Sequence, residues 1–184
     1  MAAKAGGIVL AAGAGTRYGM PKVLAGNGQW LRKAVAALRD GGCRDVAVVL
    51  GAAIVDVPPP ARPVVADDWA DGMSASLRAG IDALDSDAVD FAVVLTVDTP
   101  DIGPAAVRRV LAAAAAAPSG IARAYYGERP GHPVVIARRH WPELVDVVHG
   151  DEGARPFLAA RDDVVSVDCA DVATGADIDV NPGS

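Results

Sequence analysis

The tightest constraint on this sequence is the abrupt change of character across residues 6–22, GGIVLAAGAGTRYGMPK. Residues 7–12 are a short apolar run of the kind that becomes a strand buried on both faces. The run breaks into Gly13-Ala14-Gly15-Thr16-Arg17-Tyr18-Gly19 and then Met20-Pro21-Lys22. Glycine accepts a positive φ and lets a ligand approach the main chain with no Cβ in the way. Successive backbone N–H groups in such a loop make a concavity for anions, and Arg17 and Lys22 add positive charge. A buried strand feeding a glycine-rich, cationic loop predicts a seat for a polyphosphate.

Two common phosphate motifs fail here on a required residue. No Gly-Lys-Ser/Thr occurs anywhere in the chain, which excludes the P-loop. The dinucleotide fingerprint needs G-x-G-x-x-G, but the third glycine falls one place late, at Gly19. It also needs an acid at the end of the second strand, and residues 46–53 offer none.

The rest of the chain alternates strand and helix. Helices are expected over 29–40, 73–84 and 103–117, with shorter ones over 141–148 and 152–160. Strands are expected over 7–12, 45–50, 64–66, 90–97, 121–126, 133–137 and 164–167. Residues 57–63 hold four prolines and read as a surface connection, and 127–132 reads as the link between two strands. The tail, 173–184, reads as irregular. This alternation predicts one Rossmann-like α/β domain over 1–184, a three-layer sandwich with a mostly parallel sheet and helices on both faces. Ligands in such sheets collect at the carboxyl ends of the strands, where residues 13–22, 67–72 and 98–100 all fall.

Composition narrows the partners. Across 184 residues the net charge is −6, which opposes a nucleic-acid groove, and no apolar run approaches a membrane span. The apolar N-terminal run is too short for a signal peptide. Cys43 and Cys169 form no C-x-x-C pair and are expected as free thiols in a reducing cytoplasm. No Cys/His cluster has zinc spacing, and there is no Gly-x-Ser-x-Gly elbow.

Several polar residues fall where ligands would collect. Asp98, in Val97-Asp98-Thr99-Pro100-Asp101, is either a ligand for a hard divalent cation or the head of an Asx-turn or cap. Asp101 is expected to cap the helix that begins at 103. Asp151, in Gly150-Asp151-Glu152-Gly153-Ala154-Arg155, is a natural N-cap for the helix after it, and capping and coordination can coexist on its two oxygens. Ser74 either caps its helix or, with nearby backbone N–H groups, holds a ligand's acceptor atom. His132 reads as a site residue or as a solvated turn histidine; His140 and His149 read as surface residues.

The pattern Leu10-Ala11-Ala12-Gly13-x-Gly15-x-Arg17-x-Gly19-x-Pro21-Lys22 resembles the signature of nucleotidyltransferases that join a nucleoside monophosphate to a phosphorylated acceptor. The resemblance is to the MobA-like branch, and within it to molybdenum cofactor cytidylyltransferases. Asp67-Asp68-Trp69-Ala70-Asp71-Gly72-Met73-Ser74, Gly131-His132-Pro133 and the Asp98 and Asp151 segments match further family motifs in order, over residues 8–179. It implies a nucleotide-diphospho-sugar transferase type of fold and transfer of an NMP, CMP from CTP, onto molybdopterin with release of pyrophosphate. A molybdoenzyme would receive the product.

The resemblance implies catalytic roles for Arg17, Lys22 and Asp98. It implies nucleotide contacts at Leu10, Ala11, Ala12, Gly13, Gly15, Thr16, Arg17, Lys22, Asp67, Gly72, Met73 and Ser74. Acceptor contacts would come from Gly131, His132 and Pro133, and Mg²⁺ would sit on Asp98 and Asp151, with Asp179 a weaker candidate ligand. The sequence departs from the family at Asp67, where relatives often carry Asn, at the abbreviated residues 23–28, and in its short tail. Those departures feed one rival, a non-catalytic nucleotide or cofactor binder. The nearest enzyme rival is a guanylyltransferase acting on molybdopterin or another small phosphate.

Overall fold

The computed structural model describes residues 2–85 and 88–182. In chain order the elements are β1 (Ala5–Ala11), α1 (Gln29–Asp40), β2 (Cys43–Leu50), β3 (Arg62–Val65), α2 (Met73–Asp85), β4 (Phe91–Thr96), α3 (Pro104–Ala116), β5 (Ile121–Tyr126), β6 (Arg129–Ala137), α4 (Trp141–Val147), α5 (Arg155–Ala159) and β7 (Val165–Asp168). All seven strands join one sheet in the order β3-β2-β1-β4-β6-β5-β7, with β6 alone antiparallel to its neighbours.

Strand alternation sorts the core into two layers of side chains. From β1, Val9 and Ala11 point to the face covered by α1 and α3, where Leu38 and Val107 are fully buried. Ile8 and Leu10 point to the opposite face, under α2, α4 and α5, with Leu84, Leu144 and Phe157. Small residues let helices lie close to the sheet. A Cβ at Gly80 of α2 would come within 2.7 Å of Ile8, and one at Gly7 of β1 within 2.9 Å of Leu38. Burying Phe157 at 1% exposure is worth about 3–5 kcal/mol against alanine. The few aromatics are thus offset by close packing of aliphatic residues.

Four expectations need correction. Residues 127–132 are not one connection: Tyr126 pairs with Arg129, so only Gly127 and Glu128 form the turn, and β6 starts inside the Pro-Gly-His run. Strand β3 begins at Arg62 and includes Pro63, which the edge position permits because one side of the strand has no partner. The helix expected over 152–160 shrinks to the five residues of α5, capped by Ala154, so Asp151 is not its N-cap. Asp101 caps nothing either; its carboxylate accepts from Thr174 N (2.7 Å) and Thr174 Oγ1 (2.6 Å).

Candidate functional site: a two-chambered cleft at the strand ends

From β1 the chain moves outward to β2 and β3, then returns to place β4 on the other side of β1. The carboxyl ends of β1 and β4 therefore flank the point where the winding reverses, and Leu10 and Thr96 are register partners there. One loop from each strand borders the crevice. From β1 comes the glycine loop, and from β4 comes Asp98. Because β6 runs antiparallel, Gly131 and His132, in its N-terminal half, arrive at the same edge.

The glycine loop is locked rather than slack. Gly19 N donates to Gly15 O at 2.8 Å, and Tyr18 is buried with its ring 5.2 Å from that of Trp30. Gly15 has φ +64°, and a Cβ there would fall 1.8 Å from the Met20 carbonyl oxygen. Thr16 and Arg17 are left exposed at the tip.

Two cavities of about 320 and 270 Å³ adjoin, sharing Leu10, Met73, Thr96 and Asp98. The first is walled by Leu10, Ala11, Gly13, Gly15, Thr16, Arg17 and Lys22, with Asp98 and Asp179 at its inner end. Walls of the second include Arg123, Gly131, His132, Asp151, Arg155 and Asp177. At the seam, Lys22 Nζ donates to Asp98 Oδ2 and to Asp179 Oδ1, each at 2.9 Å. The Lys22 side chain is only 16% exposed. Burial works against its charge, but hydrogen bonds and attraction from Asp179 and Asp98 outweigh it, so its pKa stands above the usual lysine value. The bond from Lys22 in turn lowers the Asp179 carboxyl.

Carboxylate oxygens of Asp98, Asp177 and Asp179 lie within 4.8 Å of one another. All-oxygen, anionic donors at that spacing suit Mg²⁺ or Mn²⁺ and would not select a soft metal. The tail supplies two of the three. It is irregular, as expected, but tied down: Ile178 N donates to Asp98 O at 2.9 Å, and Arg129 donates to Thr174 O at 2.8 Å. The sequence motifs do not single out Asp177 and make Asp179 only a weaker candidate. The Asp177-Ile178-Asp179 repeat, two carboxylates on one side of an extended segment, was the available signal.

Other expected residues fall elsewhere. Asp151 lies on the second cavity, exposed, outside the carboxylate trio. Ala12, Asp67, Gly72, Ser74 and Pro133 line neither cavity. Gly72, at φ +114°, packs on the Gly150 backbone and the Asp151 carboxylate, where a Cβ would be 2.5 Å from Gly150 O. Ser74 does not cap α2; its N–H bonds Gly150 O at 3.0 Å, and its hydroxyl is buried without a partner. His132 is half-buried, not a solvated turn residue, and burial with the nearby Arg123 charge pushes its pKa down to about 4, so it is neutral at pH 7. His140 is also not free on the surface: Nε2 is 2.8 Å from Ser119 O. Cys43 and Cys169 are buried free thiols, Cys43 pushed up to about 12 by burial. Among the described residues no helix is long and apolar enough to cross a membrane.

A three-layer sheet with a locked glycine loop and an acidic cluster across its switch point is an α/β domain of the nucleotide-diphospho-sugar transferase type. The chain belongs to the MobA-like NTP transferase domain family, whose model matches residues 7–164, and so stands among nucleotidyltransferases of that type. It is 37% identical over 189 residues to nicotine blue oxidoreductase of Paenarthrobacter nicotinovorans, covering 94% of this chain and 91% of that protein. The crystal structure of Rv0371c from Mycobacterium tuberculosis superposes with a TM-score of 0.77 at 26% identity, over 98% of this chain and 95% of that one. The 4-diphosphocytidyl-2C-methyl-D-erythritol synthase of Anaerococcus prevotii shares the fold, with a TM-score of 0.70 at 11% identity over 96% and 91% of the chains.

Proposed function

We propose that residues 1–184 form a single cytoplasmic catalytic domain that transfers CMP from CTP to a phosphorylated acceptor of the molybdopterin type, releasing pyrophosphate. A molybdoenzyme would take up the product. The observation that carries this reading is the Lys22 ammonium held between Asp98 and Asp179 where the loop cavity meets the second one. A phosphate lying along the glycine loop would meet that ammonium at the boundary with a second bound molecule.

Nothing in this chemistry needs an enzyme nucleophile, since the acceptor phosphate is already an anion able to attack the α-phosphorus. The new P–O bond forms as the bond to pyrophosphate breaks, and the leaving pyrophosphate carries away the electron pair. The chain's part is positioning and charge neutralisation. Backbone N–H groups of the glycine loop and the exposed Arg17 hold the phosphates that leave. Lys22 stabilises charge at the α-phosphate and the attacking oxygen. Mg²⁺ held by Asp98, with Asp151 or the tail carboxylates Asp177 and Asp179 as its further ligands, would supply Lewis-acid charge neutralisation there. Gly131 and His132, on the wall of the second cavity, would border the acceptor, with the neutral imidazole of His132 available as a hydrogen-bond donor.

Pyrophosphate release, measured with CTP, GTP, ATP and UTP, with and without molybdopterin, tests the reading. It predicts Mg²⁺-dependent release, fastest with CTP plus acceptor and abolished by EDTA. Preference for GTP would replace it with a guanylyltransferase. Nucleotide uptake without any release would leave a binder. A second reading comes from the 37% identity to nicotine blue oxidoreductase, a redox enzyme by its name. Against it, the glycine loop lacks dinucleotide spacing and β2 ends without an acid. Conversion of nicotine blue in the presence of an added electron donor or acceptor, with no pyrophosphate from any NTP, would favour it.

A further inference from the structure

The second cavity contains a charge with no counterpart. Arg123 lies on β5, paired with Val134 of β6 and Ser166 of β7, and alternation turns it to the same sheet face as Ile121, the face that α5 covers. Its side chain is half-buried, yet among the described residues its one hydrogen bond is from Nε to the Gly131 carbonyl, a long 3.3 Å. Other half-buried arginines of the chain are better served. Arg78 donates to the Val145 and Val148 carbonyls at the end of α4, and Arg161 pairs with Asp163 and Glu143. Among the described residues no carboxylate forms an ion pair with Arg123. Arg155, exposed at the head of α5, is likewise unpaired, and both arginines line the cavity of about 270 Å³ and a smaller one of about 230 Å³ behind it.

A desolvated guanidinium with most of its five N–H donors unused is costly, and a second like charge beside it raises the cost. The strain shows on Arg123, whose pKa is lowered by burial and by the Arg155 charge. Carboxylates do line the cavity, but Asp151, Glu152 and Asp177 leave both guanidinia unpaired. The neighbouring His132 brings hydrogen-bonding capacity and no charge at neutral pH. An anion between the two arginines would relieve the repulsion and take up the unused donors in the fork geometry that suits phosphate and carboxylate.

We propose that Arg123 and Arg155 form an anion-binding subsite at the end of the cleft away from the glycine loop, and that the acceptor carries a phosphate or carboxylate group which docks there. This rests on the reading that the second cavity holds the acceptor. On a molybdopterin-type acceptor the one phosphate is the attacking group at Lys22, so the subsite narrows the acceptor to one that carries a further anionic group. A neutral acceptor would leave the arginine pair unmatched.

The probe is inorganic phosphate, titrated calorimetrically into the metal-free protein, with acetate as a second arm to separate phosphate from carboxylate preference. The comparison covers wild type, Arg17→Gln, Arg123→Gln and Arg155→Gln, each with its unfolding midpoint recorded. Phosphate affinity should fall at least tenfold in Arg123→Gln and severalfold in Arg155→Gln, while Arg17→Gln keeps one phosphate site. If Arg123→Gln fails to fold, Arg123→Lys keeps charge and stem but loses the fork, and the same tenfold loss is expected. Wild-type affinity in the Arg123 variants, or loss of all phosphate binding in Arg17→Gln, overturns the subsite. Mg²⁺–CTP binding to wild type separates the two readings. Phosphate bound through Arg123 in a chain that takes up no nucleotide would sink the nucleotidyl-transfer reading and leave the subsite standing.

Discussion

The Lys22 ammonium touches two carboxylates whose residues lie 76 and 157 positions away in the chain, each at 2.9 Å. Its charge holds Asp98 and Asp179 together, and in the proposed transfer it would face phosphate. Lys22→Ala and Asp98→Ala are each expected to cut turnover on the order of 100- to 1000-fold, because each removes charge stabilisation at the reacting phosphate. Unfolding midpoints should barely move, which circular dichroism would check. His132 gives a pH signature. Its folded pKa of about 4 lies below the ordinary 6.5, so between those values the unfolded chain takes a proton that the fold excludes. The stability tied to its neutral form is complete above 6.5 and is lost as pH falls toward 4. At pH 4.5 that loss is on the order of 2 kcal/mol, and His132→Gln should flatten it in denaturant titrations run at pH 7 and 4.5.

At the scale of elements, the glycine loop and the tail were unequally legible. The loop could be read because its glycines and cations are contiguous and only backbone geometry relates them. Gly15→Ala should abolish nucleotide binding, since φ is +64° and the new Cβ would meet the Met20 carbonyl at 1.8 Å. Gly13→Ala, with no protein atom within 4 Å of the new Cβ, should keep the loop's fold and weaken nucleotide binding only through the methyl's contact with the ligand. Titration with a fluorescent CTP analogue distinguishes the two. The tail hid its role because its position depends on distant partners: Asp101 on Thr174, Arg129 on the Thr174 carbonyl, and the Asp98 backbone on Ile178. No local periodicity announces such contacts. The β6 start was hidden for the opposite reason, since Pro130 and Gly131 carry strong turn propensity that pairing with β5 overrides. Asp151 looked like a cap because Gly-Asp-Glu is cap chemistry, yet α5 starts only at Arg155.

For the molecule as a whole, the alternation of apolar strands and helices was enough to give the layered sheet, because burial on two faces leaves few other arrangements. What it could not supply was the strand order that sets β1 beside β4 and brings Asp98 against Lys22. That juxtaposition underlies the central claim, that one cleft holds a nucleotide's phosphates on the glycine loop and a divalent ion on the carboxylates facing it. Crystals soaked with CTP and Mn²⁺ and measured for anomalous scattering test it most directly. The account predicts a manganese peak bound by Asp98 and a triphosphate running along Gly13 to Lys22. A peak away from Asp98, or a nucleotide bound anywhere but that loop, would contradict it.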